Sequence, residues 1–147
     1  MFSGEYEHTV DEKGRIFLPA RHREALGTII YLGRGSDGQI NVYPKTVWEE
    51  MTLRVEQAGQ RRTAIRNTSR FLFSATECEV DRQGRIVIPP LLRRYADLGT
   101  DAVILGNHDR IEIWNRENWQ TTCDRVIEQA KDHNDDPVQI AALELNL

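Results

Sequence analysis

The chain of 147 residues has few of the features that announce chemistry. Its two cysteines, Cys78 and Cys123, form no Cys-x-x-Cys pair, so a disulfide framework and a cysteine metal site are both excluded on spacing. The four histidines, His8, His22, His108 and His133, stand at no metal-binding spacing from one another or from a cysteine. No Gly-x-Ser-x-Gly elbow and no phosphate-cradling glycine loop occurs. The glycines of "GRGSDG" (residues 33–38 include them) join two strands and open no helix, so they lack the helix dipole that phosphate binding uses. No apolar run reaches the roughly 18 residues a bilayer span requires, and the start lacks the pattern of a signal peptide. These absences predict a cytoplasmic protein that is not an enzyme and carries no cofactor or metal.

The charge is also unevenly spent. The net charge is −4. Residues 117–147 hold seven acids and two bases, whereas residues 1–116 hold seventeen bases and sixteen acids. Arg54, Arg61, Arg62, Arg66 and Arg70 face only Glu56 within residues 54–70. An acidic tail therefore masks a body with basic patches.

What the chain does have is an internal repeat. "DEKGRIFLPARHR" at 11–23 returns as "DRQGRIVIPPLLRR" at 81–94. Phe2-Ser3 answers Phe73-Ser74, Leu26-Gly27 answers Leu98-Gly99, and Leu32-Gly33 answers Leu105-Gly106. "INVYPKTVW" at 40–48 answers "IEIWNRENW" at 111–119. Each copy reads as four short strands and a short helix, followed by a longer helix. Tyr6, His8 and Val10 give strand one an apolar face. Asp-x-x-Gly-Arg reads as a hairpin turn, and Ile16-Phe17-Leu18 as a buried strand. Pro19 opens the short helix and Gly27 closes it. Val47, Met51, Val55 and Ala58 form one stripe of the first long helix, and Trp119, Cys123 and Ala130 belong to that of the second, capped by Asn115. A further helix near 60–69 joins the halves, and a break at "HNDDP" precedes one or two turns from Pro137. Four short strands cannot bury a core alone, so the two copies are expected to intertwine about a pseudo-twofold axis.

The repeated turns are the candidate site. Asp11 and Gly14, and Asp81 and Gly84, structure the bends. Arg15 and Arg85 at rigid turns are pre-aimed guanidinium forks, suited to phosphate oxygens or a guanine edge. Lys13, Arg21 and Arg23 extend the first cluster, and Arg82, Arg93 and Arg94 the second. Trp48 and Trp119 are candidates either for the protomer core or for contacts between subunits. His8 answers Cys78, a pairing that reads as core.

The opening "MFSGEYEHTVDEKGRIFLPARHRE", the second "ATECEVDRQGRIVIPPLLR" and the aromatic helix starts at 43–48 and 114–119 resemble the MraZ family of the AbrB/SpoVT swapped-hairpin DNA binders, over residues 1–130. That resemblance implies a β-rich α+β fold: two tandem swapped-hairpin repeats, residues 1–50 and 71–120, intertwined into one barrel-like globule with peripheral helices. Residues 51–70 would be a helical connector and 121–147 a C-terminal helix and acidic tail. It further implies a nucleoid-associated repressor of a division and cell-wall gene cluster and of its own promoter. Such a regulator would bind G-rich direct repeats in double-stranded DNA as a homo-oligomeric ring, an octamer or similar. On this chain the family's Asp-x-x-x-Arg signatures fall on Asp11 and Arg15, and on Asp81 and Arg85. The copies differ, Lys13 against Gln83 and Glu12 against Arg82, and the first is expected to make the more specific contacts. The competing expectation, from the negative net charge and acidic tail, is a ring-forming interaction module without specific DNA readout.

Overall fold

The computed structural model describes residues 1–131 and 137–146, so most of the expected break at "HNDDP" lies outside the described residues. Contacts divide the chain into two units, Met1–Asn115 and Arg116–Leu147. The first contains every strand among the described residues: β1 (Glu5–Thr9), β2 (Arg15–Phe17), β3 (Ile29–Arg34), β4 (Ile40–Pro44), β5 (Thr76–Glu79), β6 (Arg85–Val87), β7 (Asp101–Asn107) and β8 (Arg110–Asn115). Between them run a 3-10 turn (Ala20–His22) and helices α1 (Arg23–Leu26), α2 (Lys45–Ala58), α3 (Thr63–Phe73) and α4 (Pro90–Tyr95). The second unit is α5 (Arg116–Lys131) and α6 (Pro137–Glu144). The joining helix thus starts three residues after the expected position and runs to Phe73.

Six strands form one antiparallel sheet in the order β1-β7-β8-β4-β3-β5, and β2 pairs with β6 in a separate two-stranded ribbon. The first strand of each copy pairs with the third strand of the other side: β1 lies on β7 and β5 on β3. This exchange is the swapped, intertwined duplication. Register locates the pseudo-twofold axis. In the sheet Ile40 faces Ile113, Val42 faces Ile111, and Asn41 faces its own counterpart, Glu112. In the ribbon Arg15 faces Val87, Phe17 faces Arg85, and Ile16 faces its counterpart, Ile86. The axis therefore passes Asn41/Glu112 and Ile16/Ile86.

The core lies between sheet and ribbon. Ile16, Leu18, Ile86 and Ile88 from the ribbon side meet Ile30, Leu32, Ile40, Val42, Ile104, Ile111 and Ile113 from the sheet, all nearly inaccessible. Alternate residues of each strand point at this core because successive side chains take opposite faces.

Four expectations are corrected. The sheet does not close into a barrel: β1 and β5 remain its two edges. The Asp-x-x-Gly-Arg bends are not hairpins, because β1 and β2 belong to different sheets; each bend is a corner that hands the chain to the ribbon. Phe17 is 45% exposed and its counterpart Val87 55%, since a two-stranded ribbon covers the core with one face only. The Leu32-Gly33 match is displaced by one residue. Register aligns Leu32 with Ile104, both fully buried, because a one-residue slip would turn every apolar side chain outward.

Phe2 and Phe73 also have different settings. Phe2 is buried and its backbone bridges His108, extending the β1 edge, whereas Phe73 ends α3 and is 54% exposed. Trp48 packs within the first unit: its ring stacks on Tyr31 at 4.0 Å, and Nε1 donates to the Leu72 carbonyl at 3.1 Å. Trp119 is half-buried on α5. The α2 stripe is half-buried at Val47, Met51 and Val55, while Ala58 is exposed.

Candidate nucleic-acid interface

The two bends are built alike, bond for bond. Asp11 Oδ1 accepts the backbone N–H of Lys13 at 2.9 Å and of Arg15 at 2.8 Å, while Oδ2 accepts Arg15 Nε at 2.7 Å. Asp81 Oδ1 accepts Gln83 N–H and Arg85 N–H, both at 2.9 Å, and Oδ2 accepts Arg85 Nε at 2.9 Å. Gly14 and Gly84 close the bends at φ 78° and 82°, a region that costs a side chain strain. The backbone N–H of Arg15 on Asp11, and of Arg85 on Asp81, holds each carboxyl below its usual value, so both are charged near neutrality. One carboxylate thus orders a turn and aims a guanidinium.

Only Nε of Arg15 and Arg85 is engaged. Among the described residues the Nη groups of both make no hydrogen bond within the chain, and the side chains are 30% and 22% exposed. Four side chains share the outer face of the ribbon: Arg15 opposite Val87, and Phe17 opposite Arg85. The Arg85 guanidinium carbon lies 5.8 Å from the Phe17 ring centroid. The ribbon therefore offers two open forks around an apolar centre. Phe17 and Val87 were not singled out from sequence; their alternation with the buried Ile16 and Ile86 was the available signal.

The other predicted site residues fall into two groups. Lys13, Arg82, Arg21 and Arg94 are exposed beside the bends or on the adjoining helical turns, with Arg21 Nη1 donating to Tyr6 Oη at 3.0 Å. Arg23 and Arg93 are half-buried and stand behind the bends, each against the other copy. A Cβ placed on Gly14 would lie 2.7 Å from Arg93 Cζ, and one on Gly84 would strike the Arg23 guanidinium. Arg23 Nε donates to the Leu18 carbonyl at 3.0 Å, whereas Arg93 Nε is buried without a partner. The ribbon is tied across as well: Leu18 N–H donates to Gly84 O at 2.9 Å and Ile88 N–H to Gly14 O at 2.8 Å.

His22 and His8 fit structural roles. His22 is buried, its Nε2 lies 2.9 Å from the Ser3 carbonyl, and its ring meets Phe2 and Tyr6 edge-on. Burial, with Arg23 nearby, pushes the His8 pKa down, as burial pushes the Cys78 thiol up at the equivalent position. Among the described residues no three acidic, histidine or cysteine side chains form a metal-holding group. No helix among them is long and apolar enough to cross a membrane.

The fold and the site define a class: an intertwined duplication of swapped strands that presents a two-stranded ribbon flanked by arginine-bearing corners. A family model described as "MraZ protein, putative antitoxin-like" matches the chain twice, over residues 1–71 and 71–139. The chain is 45% identical over 130 residues to a protein of Moorella thermoacetica named "Transcriptional regulator MraZ", covering 88% of this chain and 91% of that one. A protein of the same name from Herpetosiphon aurantiacus is 44% identical over 131 residues, with 88% and 92% covered. Another, from Lactiplantibacillus plantarum, is 46% identical over 121 residues, with 82% and 86% covered. The chain belongs to the MraZ family, and the two matched segments are the two copies of its repeat.

Proposed function

We propose that this protein is a sequence-specific DNA-binding transcriptional regulator that lays its β2/β6 ribbon in the major groove. The observation carrying this reading is the pair of Asp-ordered bends that leave the Nη groups of Arg15 and Arg85 open on one exposed ribbon face. The major groove, roughly 12 Å wide, admits a two-stranded ribbon, and arginine reads guanine at O6 and N7. Lys13, Arg21, Arg82 and Arg94 reach phosphates and set register. Arg23 and Arg93 add charge while bracing the bends from behind. The name its relatives carry, transcriptional regulator, supports the same assignment.

The finer reading is a nucleoid-associated repressor of its own promoter and of a division and cell-wall gene cluster, acting on G-rich direct repeats. A ribbon with perfect twofold symmetry would suit a palindrome. Here Lys13 of the first copy is replaced by Gln83 in the second and Glu12 by Arg82, so each protomer reads a directional element, with Arg15 the more specific reader. A ring of protomers would then engage successive direct repeats, and effective concentration would offset the −4 net charge of each chain. Leu53 and Phe73, each about half exposed on α2 and α3, provide apolar surface for subunit contacts.

Gel-shift titration of wild type and Arg15→Ala on a site selected from random duplexes tests the reading. Loss of affinity together with a steep decline on adding salt is expected. Equal binding by both proteins, or a flat salt response, would remove the ribbon from the mechanism.

A further inference from the structure

A cleft of about 420 Å³ opens in the first unit, lined by none of the ribbon or bend residues, between the β3–β4 loop, α2, α3 and the end of α4. Its walls are mostly apolar: Met51 from α2, Phe71 and Leu72 from α3, Ala75, and the rings of Tyr43 and Tyr95. One cation enters it. The Arg34 guanidinium carbon lies 5.8 Å from the centroids of both Phe71 and Tyr95. Among the described residues no carboxylate lies within ion-pair distance of Arg34. Tyr95 is pinned by its hydroxyl, which donates to the Gly35 carbonyl, so the mouth is formed jointly by both copies.

The residues that shape this cleft are not repeated across the pseudo-axis. Tyr95 answers Ala25, and the β7–β8 connection is only His108 and Asp109 where β3–β4 has five residues. A guanidinium held between two aromatic rings, over an apolar recess of small-molecule size, has the composition of a ligand pocket.

We propose that this cleft is a binding site for a small amphipathic carboxylate, with its aromatic or aliphatic body against Met51, Leu72 and Phe71 and its carboxylate on Arg34. The ion pair supplies orientation, because the surroundings hold few other polar groups, and apolar burial supplies most of the affinity.

The test is calorimetric titration of the full chain with 2-naphthoate and with its neutral counterpart 2-naphthamide. The expected result is one naphthoate per chain, bound roughly tenfold more tightly than the amide, the difference a charge-assisted hydrogen bond makes. Arg34→Gln should reduce naphthoate to the level of the amide, and Arg34→Lys should restore part of the loss. Thr68→Trp, which fills the mouth from α3 and leaves Arg34 in place, should abolish binding of both. Circular dichroism confirms that each variant is folded. The proposal is overturned if naphthoate does not bind wild type at millimolar concentration, if acid and amide bind alike, or if Arg34→Gln binds as wild type does. DNA affinity is not a readout, so the outcome is independent of the proposed ribbon function.

Discussion

The two copies agree where the backbone turns and disagree where the surface begins. Asp11 and Asp81 make the same three hydrogen bonds with nearly the same lengths. Arg23 and Arg93 stand behind the opposite bend in the same way. Yet buried His22 in the first copy becomes buried Leu92 in the second, and Lys13 becomes Gln83. The lesson is that the bends obey one geometrical requirement, to leave a large sheet and enter a ribbon, which tolerates little variation. What lies around them meets different neighbours. His22 has the Ser3 carbonyl to bond because the N-terminal strand continues past β1 to Phe2, while the residues before β5 belong to α3.

Substitutions can break this likeness or define its limits. The strongest should act on the axis. Ile16→Ala and Ile86→Ala each remove a fully buried side chain facing its own counterpart, and each should cost about 2–5 kcal/mol of stability in urea unfolding. The two values should match; a large inequality would mean that the copies do not share one core.

On DNA, Arg15→Ala should cost about 1–3 kcal/mol on the specific site, and Arg85→Ala less, as measured by gel-shift titration. Equal losses would restore symmetry to the reading. Glycine replacement should separate the copies next. Gly14→Ala and Gly84→Ala both force a side chain into positive φ, at about 1–2 kcal/mol. Gly84→Ala should be the worse in thermal unfolding, because Arg23 is fastened to the Leu18 carbonyl and cannot retreat as readily as Arg93.

His22→Leu copies the second repeat into the first. It should cost about 0.5–1.5 kcal/mol through the lost bond to Ser3. Hydrogen exchange at the Phe2 and His108 amides, which bond each other's carbonyls, should accelerate. Unchanged exchange there would show that His22 does not hold the segment. Acid should produce the smallest effect. Asp11 and Asp81 have folded values below the ordinary 3.8, so what they contribute is present above that value and lost as pH falls through the lowered one. Amide shifts of Lys13, Arg15, Gln83 and Arg85 should move together in that window; movement in one copy alone would show that the bends are not equivalent.

Much of this was legible in residues alone. The repeat, the strands and the Asp–Arg bends are local, and a turn that needs an Asp acceptor, a positive-φ glycine and an arginine writes itself in a five-residue motif. Phe17 was misread as buried because a run of three apolar residues does not disclose how many faces its sheet covers. The one-residue slip at Leu32 arose because Gly33 and Gly106 are alike in sequence, whereas alignment across the sheet is set by which side chains reach the core.

The sequence by itself determined that there are two copies, where each one bends, and which charges sit at the bends, because hydrogen bonds spanning two to four residues fix those features. Only the tertiary structure decided that β1 leaves its own copy for β7, that β2 and β6 join around Ile16 and Ile86, and that Arg93 stands behind Gly14. Such pairings join residues some seventy or more positions apart. What selects them is the burial of both copies' apolar faces at once, a condition that no single stretch of the chain contains.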